Sequence, residues 1–234
     1  MLKVILVNLL LALCLSASTG LPSSYYKIKD SALQKKRFFE ILAPMIEKER
    51  QKILDDRAFI QKYFHSGLFG FRHDGLAIFE LIKIKQRYKI DNLYNLDEYL
   101  LKVDVVPTSI ILAQAALESG WGKSRFVRQA NNIFGQWTYS GRGLIPKNRN
   151  EGAKHRIKIF DSLQSAISGY LININVGWGY RSLREKRLKL RKEKGDNING
   201  LDLYMEYINY SEIREEYIRR LKLMIVNNNL LEYD

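Results

Sequence analysis

The chain has 234 residues, and its 38 Lys and Arg against 25 Asp and Glu give a formal net charge of +13. A hydrophobic content of 46% and a charged content of 27% are those of an ordinary globular protein, with no sign of disorder. The single cysteine excludes a disulfide framework, and the basic charge favours polyanions: nucleic acid, anionic lipid or an anionic wall polymer.

In chain order, Lys3 is followed by an apolar run from Val4 to Leu15, broken by Asn8, and then by Ser16, Ala17 and Ser18. This is the arrangement of a secretory signal peptide, read as residues 1–18. The bland alternative is a buried N-terminal helix or strand, and the run is short for a membrane span. Cys14 follows Leu11-Ala12-Leu13 in the manner of a lipobox, although the bulky Leu13 argues against lipidation. Loss of the signal leaves a chain without thiols, which suits an oxidising compartment. An exported destination, periplasm or cell envelope, argues against nucleic acid and turns the basic charge towards the wall.

Residues 19–102 read as a helical N-terminal extension. Phe38, Phe39, Leu42, Met45 and Ile46 form an amphipathic stripe that Pro44 is expected to kink or split. A helix continues over Gln51–Phe64, another runs over Gly75–Tyr88, and a shorter one over Asn92–Leu101. Pro107 opens a helix over Thr108–Ser119 that is apolar on most sides and therefore buried, stopped by Gly120 and Gly122. Ser124–Ala130 follows as a short helix. Between Gln136 and Phe160 the period changes, and His155–Phe160 alternates as a strand does, so a small β-hairpin or irregular two- to three-stranded sheet is expected. Asp161 or Ser162 caps the next helix; helices resume over Tyr180–Lys194, around Leu201–Ile208, and after Ser211, with Ile213, Tyr217, Leu221 and Met224 facing inward. The fold class is α+β, mainly α.

Glu118 is an ionisable residue near the C-terminal end of an apolar helix. Burial and the negative end of the helix dipole both disfavour its charge and raise its pKa. That is what a proton donor needs near neutral pH, as in lysozyme, where the glutamate lies against a tryptophan; here Trp121 is the sequence neighbour. The competing reading is a helix-end glutamate in solvent or paired with Lys123.

The run Pro107–Ser124, containing Ala115-Ala116-Leu117-Glu118-Ser119-Gly120-Trp121-Gly122, followed by Asn131-Asn132-Ile133-Phe134-Gly135, resembles bacterial glucosaminidase domains. These are endo-β-N-acetylglucosaminidases of the lysozyme superfamily, with flagellar rod-assembly hydrolases among their relatives. Arg37–Ile46 and Tyr210-Ser211-Glu212 are similar to segments of the Bax family of exported proteins. The resemblance implies a lysozyme-like domain over residues 103–234, with a small β-hairpin, that cuts β-1,4 glycosidic bonds of peptidoglycan without metal or organic cofactor and acts as a monomer. It places the general acid on Glu118 and a family tyrosine on Tyr180, although this chain has Val-Gly-Trp-Gly where relatives carry a proline just ahead of that tyrosine. Packing at a helix start is the other reading of Tyr180.

Glycoside hydrolysis commonly uses a second carboxylate about 5–10 Å from the first. Some relatives place it on the hairpin, where this chain offers Glu151; Asn-Glu-Gly is also ordinary turn chemistry. The substrate's own acetamido group is the alternative. Trp121, Phe134, Trp137 and Tyr139 are candidates for stacking on sugars, with Phe134 also a core candidate, and Asn132 either binds substrate or caps a helix end. His65, His73 and His155 lack metal-site spacing, and no Gly-rich phosphate loop is present. A muramidase or lytic transglycosylase, and a non-catalytic wall-binding assembly factor, are the rival functions.

Overall fold

The computed structural model of the chain describes residues 19–65, 75–146, 152 and 154–234. Residues 1–18, expected to be a signal peptide and containing Cys14, lie outside the described residues, as do His73 and Glu151.

A short helix α1 (Ser23–Tyr26) leads into the long α2 (Ser31–His65). Pro44 neither splits nor ends α2, contrary to the sequence expectation. The stripe Phe38, Leu42, Ile46, Ile53 and Ile60 is buried along its whole length, and that burial outweighs the cost of one proline in the helix interior, about 3 kcal/mol. Helix α3 (Gly75–Tyr88) and α4 (Leu96–Lys102) complete the extension, α4 capped by the Asn95 side chain on Glu98 N–H. Then come α5 (Thr108–Ser119) and α6 (Arg125–Ala130), three strands, α7 (Leu163–Val176), α8 (Arg181–Lys194), α9 (Gly200–Leu203) and α10 (Arg214–Asn227). Phe38, Leu42 and Ile46 of the extension share one hydrophobic core with Ile110, Leu112, Ile167 and Leu221. No helix among the described residues is long and apolar enough to cross a membrane.

The β-element is a three-stranded antiparallel sheet, β1 (Trp137–Thr138), β2 (Gly143–Leu144) and β3 (Arg156–Lys158), in the order β1-β3-β2. Trp137 opposes Ile157 on one side and Leu144 opposes it on the other. Ile157 points inward, but the alternation predicted as far as Phe160 stops after Lys158, and Ile159 is exposed. Ser162 rather than Asp161 caps α7, in a reciprocal capping box with Ser165. Ser211 does not cap the last helix: α10 starts three residues later, after Ile213, which is exposed.

Helix α5 runs through the centre and is held at both ends by distant parts of the chain. At its start the Asp234 side chain accepts from Ser109 N–H at 2.8 Å and Ser109 Oγ at 2.7 Å, supplying the acceptor that Pro107 lacks. Beyond its end, Tyr25 Oη donates to the Trp121 carbonyl at 2.6 Å and Tyr26 Oη to that of Gly122 at 3.2 Å. Gly122 has φ +70°, and a Cβ there would stand 2.2 Å from Leu21 Cδ1, so only glycine fits the turn.

Just ahead of α5, Asp104 is buried among three arginines. Arg191 Nη2 lies 2.6 Å from Asp104 Oδ1, Arg57 Nη1 3.7 Å and Arg187 Nε 3.9 Å from Oδ2. Burial opposes ionisation of Asp104, but Arg187, Arg191 and Arg57 together outweigh it and hold the carboxyl below its usual range. Arg187 also donates to the carbonyls of Asp104 and Leu101 and to Asn175, and Arg57 to those of Leu100 and Val103. Asp104→Ala would leave buried guanidinium charge uncompensated and is expected to cost about 3–5 kcal/mol, read as a lower denaturation midpoint in urea at neutral pH.

Candidate active site

Glu118 lies in the last turn of α5, with Gln114 one turn earlier on the same face. Around them gather tyrosines from four later segments. Tyr170 comes from α7, Tyr180 from the 3₁₀ turn Trp178–Tyr180, Tyr207 and Tyr210 from the bend before α10, and Tyr217 from α10 itself. The Tyr210 and Tyr217 rings are stacked with centroids 5.3 Å apart, and Tyr180 stands 6.4 Å from Tyr207 and 6.5 Å from Tyr210. Phe134 stacks on Tyr170 at 3.9 Å, and Tyr210 Oη donates to the Phe134 carbonyl at 3.0 Å, fixing the loop that leads to Gly135. A Cβ on Gly135 would be 4.0 Å from Glu118 Oε2, so this loop's backbone lies directly against the acid.

The polar atoms form a directed chain. Tyr170 Oη donates to Gln114 Oε1; Gln114 Nε2 donates to Tyr217 Oη at 2.9 Å; Tyr217 then has its own proton for Glu118. Burial raises the pKa of Glu118, and the Tyr217 hydrogen bond offsets only part of that rise. Among the described residues no cation pairs with Glu118, Lys123 included, and no second carboxylate adds to its shift. Burial likewise pushes Tyr180 up to about 12, with the nearby Glu118 charge adding to it, and carries Tyr210 and Tyr217 well above the phenol range. A carboxyl whose pKa is raised beside a row of un-ionised hydroxyls has the character of a proton donor.

A concavity lies elsewhere, between α2 and α7, lined by Glu49, Lys52, Ser168 and Ile172. Ser168 and Ile172 are each two residues from Tyr170, about 200° around the helix, so this hollow is on the face of α7 turned away from Gln114. Glu49 there is tied to Lys52 at 2.6 Å and to Gln164 at 2.8 Å. That carboxylate is thus neutralised, whereas Glu118, half-buried and without a countercharge, marks the candidate site.

Residues 95–230 match the family model described as Glucosaminidase: Mannosyl-glycoprotein endo-beta-N-acetylglucosaminidase. The chain belongs to the glucosaminidase family. It is also similar to Protein bax of Escherichia coli (strain K12), 27% identical over 219 residues that cover 92% of this chain and 76% of that protein. No solved structure matches the chain significantly.

The glucosaminidase match begins within the turn that caps α4, so it takes in Asp104 as well as α5. Of the residues singled out from the sequence, the structure brings Glu118 and Tyr180 together. Trp121 does not join them: at φ +60° its ring packs edge-on against Phe38 and Phe39 at 5.6 and 5.4 Å, beneath Lys35. The apolar wall beside the acid is therefore tyrosine, not tryptophan. Asn132 is 1% exposed, with Nδ2 on the carbonyls of Gln136 and Lys158 and Oδ1 accepting from Gln136 N–H, so its amide is committed to the loop. Asn131, at φ +52°, is the residue that ends α6. Phe134 is buried, whereas Trp137 is 56% exposed and stacks on His155 at 4.3 Å, and Tyr139 is exposed. Among the described residues no cluster of three His, Cys, Asp or Glu could hold a metal ion.

Gln114, Tyr210 and Tyr217 were not foreseen as site residues. Gln114 carried a signal, being a long polar side chain one turn before Glu118 on an apolar helix, where it must find a partner. Because the folded state raises the Glu118 pKa, it holds that proton more tightly than the unfolded chain does. The group's contribution to stability is present at acid pH and lost as pH rises through the folded pKa. Glu118→Gln is expected to melt above the parent protein at pH 8, with the difference shrinking towards pH 4; equal melting temperatures at both would contradict a buried, raised acid.

Proposed function

We propose that the protein is an exported endo-β-N-acetylglucosaminidase that cuts β-1,4 bonds of the peptidoglycan glycan strand, with Glu118 as general acid. The observation that carries this reading is the half-buried Glu118 carboxyl among the tyrosines, without a countercharge, on the helix that bears the family motif. In this mechanism Glu118 protonates the leaving glycosidic oxygen as the C1–O bond breaks, a contribution of about 10²- to 10⁴-fold in rate. The charge left on the ring is oxocarbenium-like. Tyr180 stays a neutral phenol at neutral pH and turns its oxygen towards that centre or orients the attacking water. The second role falls to the substrate's acetamido group or to Glu151. Cleavage retained in Glu151→Gln would assign it to the acetamido group, and cleavage lost with the fold intact would assign it to Glu151.

The +13 charge and the signal-like residues 1–18 support action on the anionic wall, in the periplasm or cell envelope and as a monomer. A second reading, muramidase or lytic transglycosylase, draws on one observation: the acid has no carboxylate partner among the described residues, and a single acid suffices when the substrate supplies the nucleophile. Digestion of purified peptidoglycan followed by mass spectrometry of the products separates the two. Reducing GlcNAc ends are expected; anhydro-muramic ends would replace this reading with the transglycosylase. Glu118→Gln is expected to abolish cleavage while keeping the fold, and undiminished biological activity in that variant would instead identify a non-catalytic wall-binding factor.

A further inference from the structure

Trp178 is 93% exposed, the most exposed of the large apolar side chains among the described residues. A lone exposed apolar residue carries no meaning by itself. Here its setting does. Trp178 stands on a turn whose backbone is fixed from below: Arg184, itself buried, donates from Nη1 to the carbonyls of Ile174 at 2.8 Å and Gly177 at 2.7 Å. Gly177 N–H returns to the Asn173 carbonyl at 2.7 Å, and a Cβ on Gly177 would meet that same oxygen at 2.7 Å and Tyr180 Cδ2 at 3.1 Å. Glycines on both sides leave the indole clear of neighbouring side chains. The turn is rigid while the ring it displays touches no other ring or cation among the described residues.

The location relates the ring to the acid. Trp178 is two residues ahead of Tyr180, whose ring stands 6.5 Å from that of Tyr210, and Tyr210 Oη holds the Phe134 carbonyl next to Gly135, which lies against Glu118. Two residues of chain span at most about 7 Å and, in a 3₁₀ turn, their side chains diverge by about 120°, so the indole is rooted within one sugar's reach of Tyr180 and projects to one side of it. Trp137 is likewise two residues beyond Gly135, which lies against Glu118, but one face of Trp137 is covered by His155. Trp178 has both faces open. A pyranose ring offers an apolar face of C–H groups to a flat π-surface and keeps its hydroxyls at the edge, which is the match for a solvated aromatic carried on a held turn.

We propose that Trp178 is the stacking platform of a sugar subsite on the Tyr180 side of Glu118, taking one N-acetylhexosamine unit of the glycan. This rests on the reading of Glu118 as the acid of a glycan-cleaving site. The test uses the full chain carrying Glu118→Gln, so that ligand is bound without being cut, and chitotetraose as probe in isothermal calorimetry. Adding Trp178→Ala is expected to weaken binding at least about tenfold, and Trp178→Tyr to recover most of it. In the Glu118 parent, Trp178→Ala is expected to raise KM for peptidoglycan by a similar factor with a much smaller change in kcat. Its melting temperature should stay that of the parent, since the ring buries nothing. Unchanged affinity and KM in Trp178→Ala would overturn the platform while leaving the acid reading intact. Absence of chitotetraose binding in the Glu118→Gln protein that retains Trp178 would also overturn it. Cleavage surviving Glu118→Gln would overturn the acid reading instead, a result that Trp178 substitutions cannot mimic.

Discussion

The Asp104 carboxylate is where three parts of the chain are made to meet. Arg57 reaches it from α2, Arg187 and Arg191 from α8, and Asp104 itself stands at the entrance to α5. Buried ion pairs of this kind add little net stability over a well-packed apolar alternative, because each charge gives up its hydration. What the cluster supplies is exclusivity: one carboxylate satisfies its arginines only if the extension, the start of α5 and α8 are all in register. The surplus hydrogen-bonding capacity of Arg57 and Arg187 is spent on the carbonyls of Leu100, Leu101, Val103 and Asp104, so the backbone leading into the acid's helix is fixed by the same contacts.

Asp104 and Glu118 show how environment sets apart a buried carboxyl and a half-buried one fourteen residues away. Both lose water, and for both that loss favours the protonated form. Three guanidinium groups reverse the outcome at Asp104, which stays an anion and serves as a structural pin. A single phenol hydrogen bond does not reverse it at Glu118, whose pKa stays raised. The tyrosines achieve this without adding charge of their own, since burial keeps them neutral. A cation beside Glu118 would have turned the donor into a spectator.

Much of this was legible in the residues. The apolar helix with its glycine stop, the change of period after Gln136 and the inward stripe of α7 follow from spacing and composition alone. The acid was legible too, as an ionisable residue on a helix otherwise apolar all round. Its surroundings were not. Sequence adjacency suggested Trp121 as the neighbour, but the left-handed turn at Gly120 and Trp121 swings that ring onto Phe38 and Phe39. Spacing puts Tyr217 on an inward stripe, but helical periodicity reports which face is buried, not which hydroxyl meets which carboxyl. Pro44 misled for the complementary reason: a local rule about backbone hydrogen bonds was outweighed by a long buried stripe. Asn132 occupied a motif position, yet its amide is consumed by two backbone carbonyls and an N–H within its own loop.

The two attachments of α5 have a temporal consequence. Its first turn is completed by Asp234 and the turn beyond its last by Tyr25 and Tyr26, residues separated by nearly the whole described length. During synthesis at about 5–20 residues per second, the early tyrosines emerge some five to twenty seconds before the segment they clasp, and Asp234 emerges later still. A nascent or clipped chain lacking residue 234 therefore carries the acid on a helix clasped only at its far end. The two clasps of α5 are thus set at widely separated times, the one beyond its last turn well before the one at its first.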